Sequence, residues 1–382
     1  MRLKSITYSQ FEGTPDEWSI NDFSLRNINL IVGKNASGKT RTLNIIQGLG
    51  NLVSGDTKLQ YKSGNYKATF DKEGEIITYI LKYEESKVVL EKMIVGSKDK
   101  LNRGLDGKGT IWSDEDQKEM KFQAPDSELA CVNRRDSIQH PFFEDLYQWG
   151  KGLRHYSFGE KMGRDVFVPV KEESEEPQIN LKDTKSVIKV FSKGEREYGK
   201  EFKNNIINDM VKLGYKIDDI NIGIPKGLIF SQSTIYAPLQ GFILKESDLP
   251  SITEQNNISS GMFRALSLII QLNYSQLASI PSCILIDDIG EGLDYDRSMS
   301  LIKLVIEKAK NSSIQLIMST NDRFVMNNVP LEYWVIILRS SNKPNIYNYE
   351  NAKNRFDEFA LTGLSNFDFF STGLFEESLM DK

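Results

Sequence analysis

The chain has 382 residues, 39% of them hydrophobic and 26% charged, with a net charge of −5. That composition supplies core for one large domain or two ordinary ones and excludes wholesale disorder. No apolar run approaches bilayer length, and the start MRLKSITYSQF lacks both an apolar signal core and a small-residue cleavage site.

Two cysteines far apart, Cys131 and Cys283, argue for a reducing compartment and against a disulfide framework. With two histidines in all, His140 and His155, a zinc site has too few ligands. The expectation is a cytoplasmic chain with no membrane partner. The acidic balance argues against coating DNA through bulk positive charge, while leaving local basic clusters open.

Arg2 to Phe11 alternates like a strand, and a polar turn follows at Gly13 to Glu17. A second strand is predicted from about Phe23 to Val32. It runs into GKNASGKT at 33–40, and Leu43, Ile45, Ile46 and Leu49 then recur at helical spacing. Between Tyr61 and Phe122, period-two alternation with glycine turns predicts a small antiparallel sheet inserted after this helix. From Asp126 to about Gly214 the chain is polar. FFEDLYQWGKGLRHYSF (142–158) and EYGKEFKNNIINDMVKLGY (197–215) are its helical candidates, and KEESEEP (171–177) reads as a solvated acidic loop.

Strands are expected near Leu228–Phe230 and Gly241–Leu244, followed by a helix after ISSG and a strand from Cys283. A helix over Tyr295 to Lys310 and the strands IQLIMSTND and EYWVIILRS complete the pattern. The expected divisions are residues 1–125, an inserted helical lobe at 126–225, a second core half at 226–350 and a tail at 351–382. No internal repeat, long heptad run or CxxC hook is present, so no long coiled-coil arm is expected.

Three motifs carry chemistry. GKNASGKT matches G-x-x-x-x-G-K-[ST] in full, between a strand and a helix. Backbone N–H groups of such a loop cradle phosphates. Gly33, Asn35, Ala36, Ser37, Gly38 and Lys39, with Thr40 and Arg41 at the helix start, are therefore nucleotide-binding candidates. Lys39 would reach the β and γ phosphates, and the Thr40 hydroxyl would ligate Mg²⁺. CILIDD (283–288) is an apolar strand ending in two carboxylates: Asp287 suits a Mg²⁺ shell, and Asp288 suits an attacking water. ISSGMFRAL (258–266) precedes it across one apolar helix and on its own is a plain helix N-cap.

The order phosphate loop, ISSG, IDD-x-GEGLD, STND resembles the ABC-type ATPase heads of the SMC, RecF and OLD group. The resemblance implies an α/β P-loop NTPase with a mostly parallel core sheet, an antiparallel β subdomain and a helical lobe. It implies ATP and Mg²⁺ as cofactors and a head-to-tail dimer, in which the signature of one subunit contacts the γ-phosphate held by the other. Carried over by position, Ser259 with the backbone of Ser260 and Gly261 makes that contact, with Arg264 behind it. GEGLD resembles the D-loop, bringing in Asp294. STND puts Asn321 where the family usually has His, and Asp288 stands where it usually has Glu; both departures point to slow hydrolysis. Gln123, after KEMKF, is a candidate Mg²⁺-sensing Q-loop residue or a surface glutamine. Tyr8 or Phe11 would stack on adenine or pack in the core.

The chain also resembles the short stand-alone AAA-type ATPases related to OLD proteins. Many of these serve bacterial anti-phage systems such as PARIS, where the ATPase senses infection and holds or releases a toxic effector. The roughly 40 residues after the last predicted strand are too few for the Toprim nuclease domain of OLD proteins. A separate effector is therefore expected, with the Phe-rich tail FDEFALTGLSNFDFFSTGLF either docking it or packing on its own core. A RecF-like DNA-repair ATPase is the alternative. Arg134, Arg135, Lys151, Arg154, Lys161 and Arg164 interleave with Phe142, Phe143, Tyr147, Trp149 and Tyr156, which suits either DNA contact or an amphipathic lobe.

Overall fold

Two burial rhythms divide the strands of this chain. In a computed structural model describing residues 1–170, 179–227, 238–280, 283–340, 343–372 and 375, one sheet alternates buried and open positions and another is buried on both faces. The acidic stretch 171–177 and the strand expected at Leu228–Phe230 lie outside the described residues.

The chain opens with β1 (Arg2–Gln10), β2 (Trp18–Ser24), β3 (Ile28–Val32) and α1 (Lys39–Val53). Six strands follow: β4 (Ser63–Lys72), β5 (Glu75–Glu84), β6 (Lys87–Val95), β7 (Lys98–Arg103), β8 (Lys108–Ser113) and β9 (Lys118–Gln123). These pair in the order β2-β1-β4-β5-β6-β7-β8-β9 as an eight-stranded antiparallel sheet. In β5 the buried set is Ile77, Tyr79, Leu81 and Tyr83, every second residue, as a sheet with one covered face requires. That face and Leu43, Ile46 and Leu49 of α1 belong to one core. The antiparallel sheet is thus larger than expected and begins before the phosphate loop. The predicted strand 23–32 divides, β2 pairing with β1 and only β3 entering the second sheet.

Next come α2 (Ala130–Asn133), α3 (Phe142–Gly152), β10 (Arg154–Ser157), β11 (Val168–Pro169), α4 (Val187–Lys212) and β12 (Ile217–Gly223). They lead to β13 (Leu239–Glu246), β14 (Thr253–Glu254), α5 (Ser260–Leu277), β15 (Cys283–Asp287), α6 (Tyr295–Lys310) and β16 (Gln315–Ser319). The chain ends in α7 (Arg323–Asn328), β17 (Trp334–Ser340), β18 (Lys343–Asn348), α8 (Lys353–Ala360) and α9 (Asn366–Ser371).

The second sheet has the order β10-β15-β16-β3-β17-β18. Its pairings are parallel except for β17 with β18. Every residue of β3, β15 and β16 is buried, the signature of strands covered on both faces. Leu285 and Ile317 face the core around α1, while Ile284, Ile286, Leu316 and Met318 face the core around α4 to α6.

Region 126–225, expected as an inserted helical lobe, supplies strands as well as helices. The predicted helix 142–158 stops at Gly152, and Arg154–Ser157 becomes the edge strand beside β15, in register from Arg154↔Ile284 to Ser157↔Asp287. β12 pairs with β13 from the following region, and α4, bent at Gly199 (φ +54°), packs on α5. The tail packs inward: Phe356, Phe359, Phe369 and Phe375 are buried, with Phe359 stacked on Phe369 at 4.2 Å. No helix among the described residues is long and apolar enough to cross a membrane.

Candidate functional site

The carboxyl ends of β3, β15 and β16 bring three of the sequence motifs together, where ligands meet open parallel sheets. β3 leads into the 33–40 loop. A Cβ on Gly33 would lie 2.8 Å from the Ile337 carbonyl and 2.5 Å from Ser37 Oγ, so the loop closes over this position only with glycine. Gly38 takes φ +108° and Ala36 φ +62°, turning successive N–H groups inward before α1. Ser37 Oγ is buried without a hydrogen-bond partner. Asn35 and Thr40 are exposed. Arg41 lies 4.1 Å over the Trp18 ring and donates to Gln10 Oε1 at 3.1 Å.

Lys39 is only 6% exposed, and its ammonium donates to the carbonyls of Gly33 (2.8 Å) and Lys34 (3.4 Å). Burial lowers its pKa, and Asp288 and Asp287 pull it back up, which places both carboxylates within electrostatic reach. Asp287, at the end of β15, accepts the Ser319 hydroxyl proton. The same Ser319 Oγ accepts from Asp288 N at 3.0 Å, so one β16 side chain fixes both acids.

Asp288 sits at φ +53°, a left-handed conformation that costs free energy in a non-glycine residue and clusters at functional positions. Burial raises its pKa, Asp287 and Glu291 raise it further, and Lys39 opposes them. Asn321 Nδ2 donates to Asp288 Oδ1 at 3.2 Å.

The sequence missed the edge strand of this site. β10 brings Ser157 level with Asp287, and a Cβ on Gly159 would lie 2.7 Å from Glu291 Oε2 and 3.6 Å from Asp288 Cβ. His155, two residues earlier on the strand, contacts Gln47 of α1 through Nδ1 at 3.0 Å and keeps a buried Nε2 without a partner. Its pKa is lowered by burial, against Asp287 and Glu160. Gln123 is not brought here. It ends β9 at the free edge of the antiparallel sheet, donating to the Asp106 carbonyl at 3.0 Å and accepting from Arg134 through its own carbonyl. A glutamine after a strand carries no information on which sheet the strand joins. Tyr8 is packed against Tyr66 (4.6 Å) at 4% exposure, a core position.

ISSG lies on a different face. Ser259 is the N-cap of α5, its Oγ accepting from Met262 N at 3.3 Å. With Ser260, Gly261, Gly292, Asp294 and Arg297 it lines an open cavity of about 630 Å³ that no residue of 33–40 lines. A Cβ on Gly261 would meet the Gly292 carbonyl at 2.7 Å, so signature and D-loop backbones touch. Arg264 ties this face to the end of β10, donating to the carbonyls of Gly159 (2.8 Å), Glu160 (2.9 Å) and Glu291 (2.9 Å). Asp294 is the N-cap of α6 and is paired with Arg297.

The basic and aromatic residues of 134–164 separate on folding. Phe142, Phe143, Trp149 and Tyr156 are buried, as is Arg154. Arg135 lies 3.4 Å over Tyr147, Lys151 pairs with Asp56, and Lys161 with Asp165. This is the amphipathic arrangement, with the rings turned into the core.

No protein-family model matches the chain, and no curated protein is similar to it. Among solved structures it is similar to an SMC head bound to the C-terminal winged-helix domain of ScpA, at 12% identity, covering 92% of this chain and 100% of that one with a TM-score of 0.53. Looser likenesses are the Thermotoga maritima SMC head domain (13%, 91% and 99%, 0.46) and an SMC head with an extended coiled coil bound to the C-terminal domain of ScpA derived from Pyrococcus furiosus (11%, 94% and 99%, 0.47). The first of these likenesses establishes the fold: an α/β chain built as an SMC head.

Proposed function

We propose that this chain binds Mg-ATP in the 33–40 loop, hydrolyses it slowly, and uses it as a switch that closes two copies head to tail. The observation that carries the reading is the buried Lys39 ammonium, bonded to the Gly33 carbonyl and within electrostatic reach of two carboxylates where three parallel strands end. The residues fit a triphosphate: Ser37 Oγ lacks a partner, Gly33 and Gly38 clear the backbone, and the loop opens a 15-residue helix at its positive end. Lys39 would exchange its carbonyl contacts for phosphate oxygens, and Thr40 and Asp287 would hold Mg²⁺. When bound, Mg²⁺ supplies neutralising charge on the phosphates.

Asp288, its pKa raised by burial and two neighbouring carboxylates, is the general base that orients water. Asn321 holds that carboxylate by a neutral hydrogen bond and cannot add charge, which supports slow turnover. The ISSG face lies apart from the loop of the same chain, which supports a second copy supplying Ser259. Each site would then couple nucleotide to closure.

We read this switch as the sensor of a bacterial anti-phage system controlling a separate toxic effector in the cytoplasm. The motif order resembling OLD-related ATPases and two buried unpaired cysteines support that setting. Burial of Phe356, Phe359, Phe369 and Phe375 supports packing of the Phe-rich tail on its own core. A RecF-like DNA clamp lacks comparable support, since four of the five candidate stacking rings are buried and the fifth, Tyr147, is covered by Arg135.

The test is single-turnover hydrolysis of γ-labelled ATP, with and without duplex DNA across salt. The expected result is slow Mg²⁺-dependent phosphate release, lost in Lys39→Ala and indifferent to DNA. Brisk partner-free turnover refutes the slow switch. Strong salt-sensitive stimulation by DNA favours the clamp.

A further inference from the structure

The signature turn of this chain carries more positive charge and one more hydroxyl than a helix N-cap requires. Ser259 already caps α5, accepting from Met262 N. Ser260 adds a second hydroxyl one residue on, and its oxygen accepts from Arg164 Nη1 at 3.0 Å. A hydroxyl has a single proton to donate. With its oxygen engaged by a guanidinium, the Ser260 proton is directed away from Arg164, and among the described residues no acceptor receives it.

Arg164 is held with care. Its Nη2 donates to the Asn256 carbonyl at 3.2 Å, and its Nε is buried without a partner. Gln255, fully buried, grips the carbonyls of Arg164 (2.8 Å) and Val166 (2.9 Å) with its Nε2, while its Oε1 takes the Phe242 N–H at 2.9 Å. Ser267 Oγ of α5 holds the Met162 carbonyl at 3.1 Å. The loop after β10 is therefore strapped to the first turns of α5.

Among the described residues, neither Arg164 nor Arg264 pairs with a carboxylate. Both are balanced only by carbonyls and a hydroxyl. Of these groups Ser260 lines the open cavity, with the Arg164 guanidinium bonded behind it; a guanidinium without a counter-charge among the described residues favours an incoming anion, and its planar shape suits phosphoryl oxygens.

We propose that Ser260, with Arg164 behind it, is a second side-chain donor to the terminal phosphoryl group of the ATP held by the other copy. Ser260 touches that group and Arg164 positions and polarises it. The pair compensates in trans for the uncharged Asn321 of the receiving site. This rests on the composite site proposed above.

The experiment measures association of the hydrolysis-blocked Asp288→Asn chain by sedimentation equilibrium with Mg-ATP or Mg-ADP. The parent dimerises with Mg-ATP alone. Adding Arg164→Gln or Ser260→Ala weakens that dimer by about tenfold or more, the scale of one charge-assisted hydrogen bond. The two changes together cost less than the sum of each, because they remove one linked unit. Arg164→Lys recovers part of the loss. Binding of a fluorescent ATP analogue to the monomer is unchanged in Arg164→Gln, a readout that a general folding defect would move. Mixing Arg164→Gln with Lys39→Ala chains gives an ATP-driven association that Lys39→Ala chains alone do not show, since one intact loop then faces one intact signature.

A variant Arg164→Gln that dimerises like its parent overturns the inference. So does weakened monomer binding of the analogue, or mixing that adds no association, since each places the effect within one chain. A parent that stays monomeric with Mg-ATP overturns the composite-site reading itself, and this inference with it.

Discussion

The two large sheets solve different problems with similar residues. The antiparallel sheet buries one side of each strand and lets the other meet solvent, so its turns scatter around its edges and bring no reactive groups together. A buried charge cluster within it is turned inward: Glu91 accepts from Arg103, Tyr79 and the N–H groups of Ala130 and Cys131, while Arg103 also binds the carbonyls of Pro125 and Glu128 and leaves only its Nε without a partner. That cluster fastens the chain leaving β9.

The second sheet is buried on both faces at its centre and points the ends of β3, β15 and β16 one way, so Lys39, Asp287, Asp288 and Asn321 converge, with a hydroxyl unpaired and a carboxylate strained. The difference lies in convergence: left-handed residues such as Glu73, Glu85 and Gln117 sit in separate turns of the antiparallel sheet, whereas Asp288 stands among other ionisable groups.

The sharpest way to break this contrast is Lys39→Ala, which should weaken ATP binding by at least about a hundredfold, the scale of losing a buried charged contact. Equilibrium binding would measure it, and the melting temperature should move little. Glu91→Ala should do the reverse. Removing one partner of a buried ion pair costs about 3–5 kcal/mol of stability, readable by urea denaturation, while ATP affinity per folded molecule stays unchanged. Equal loss of affinity in both variants would erase the distinction between the sheets.

The phosphate loop and the two acids were legible in the sequence because their spacing is fixed by the chemistry and their flanking apolar runs fix the strands. Their setting was less legible. RHYS is four residues long and directly follows a helix, so its pairing with β15 is a tertiary fact. Ser319, which fixes both acids, had a weak signal in standing immediately before the switch residues. Gln123 ends a strand of the antiparallel sheet, a setting that its position after KEMKF does not reveal. Arg164 was read as part of a basic stretch, since nothing local tells which arginine will meet Ser260, 96 residues on. The antiparallel sheet was underestimated because β1 and β2 lie before the phosphate loop, outside the run of short strands.

Smaller effects sharpen the account of the active end. Asp288→Glu should raise steady-state turnover about tenfold and Asn321→His by a few-fold, within the range of general-base and hydrogen-bonding contributions. A fall in both would contradict the reading of those positions as slowing elements. The pH profile carries a sign as well. Asp288 must be ionised to take a proton, and burial with Asp287 and Glu291 holds its pKa above the usual carboxylate value. Single-turnover hydrolysis should therefore fall on acidification as Asp288 takes up a proton, and a rate that holds constant through the carboxylate range would contradict its role as base.

The most direct measurement is a crystal structure of the chain with Mg²⁺ and a non-hydrolysable ATP analogue. The account predicts triphosphate in the 33–40 loop against Lys39, and Ser259 and Ser260 of a second copy within hydrogen-bond distance of its terminal phosphoryl oxygens. An empty loop at millimolar analogue, or signature hydroxyls far from the phosphates in every assembly of the crystal, would contradict it.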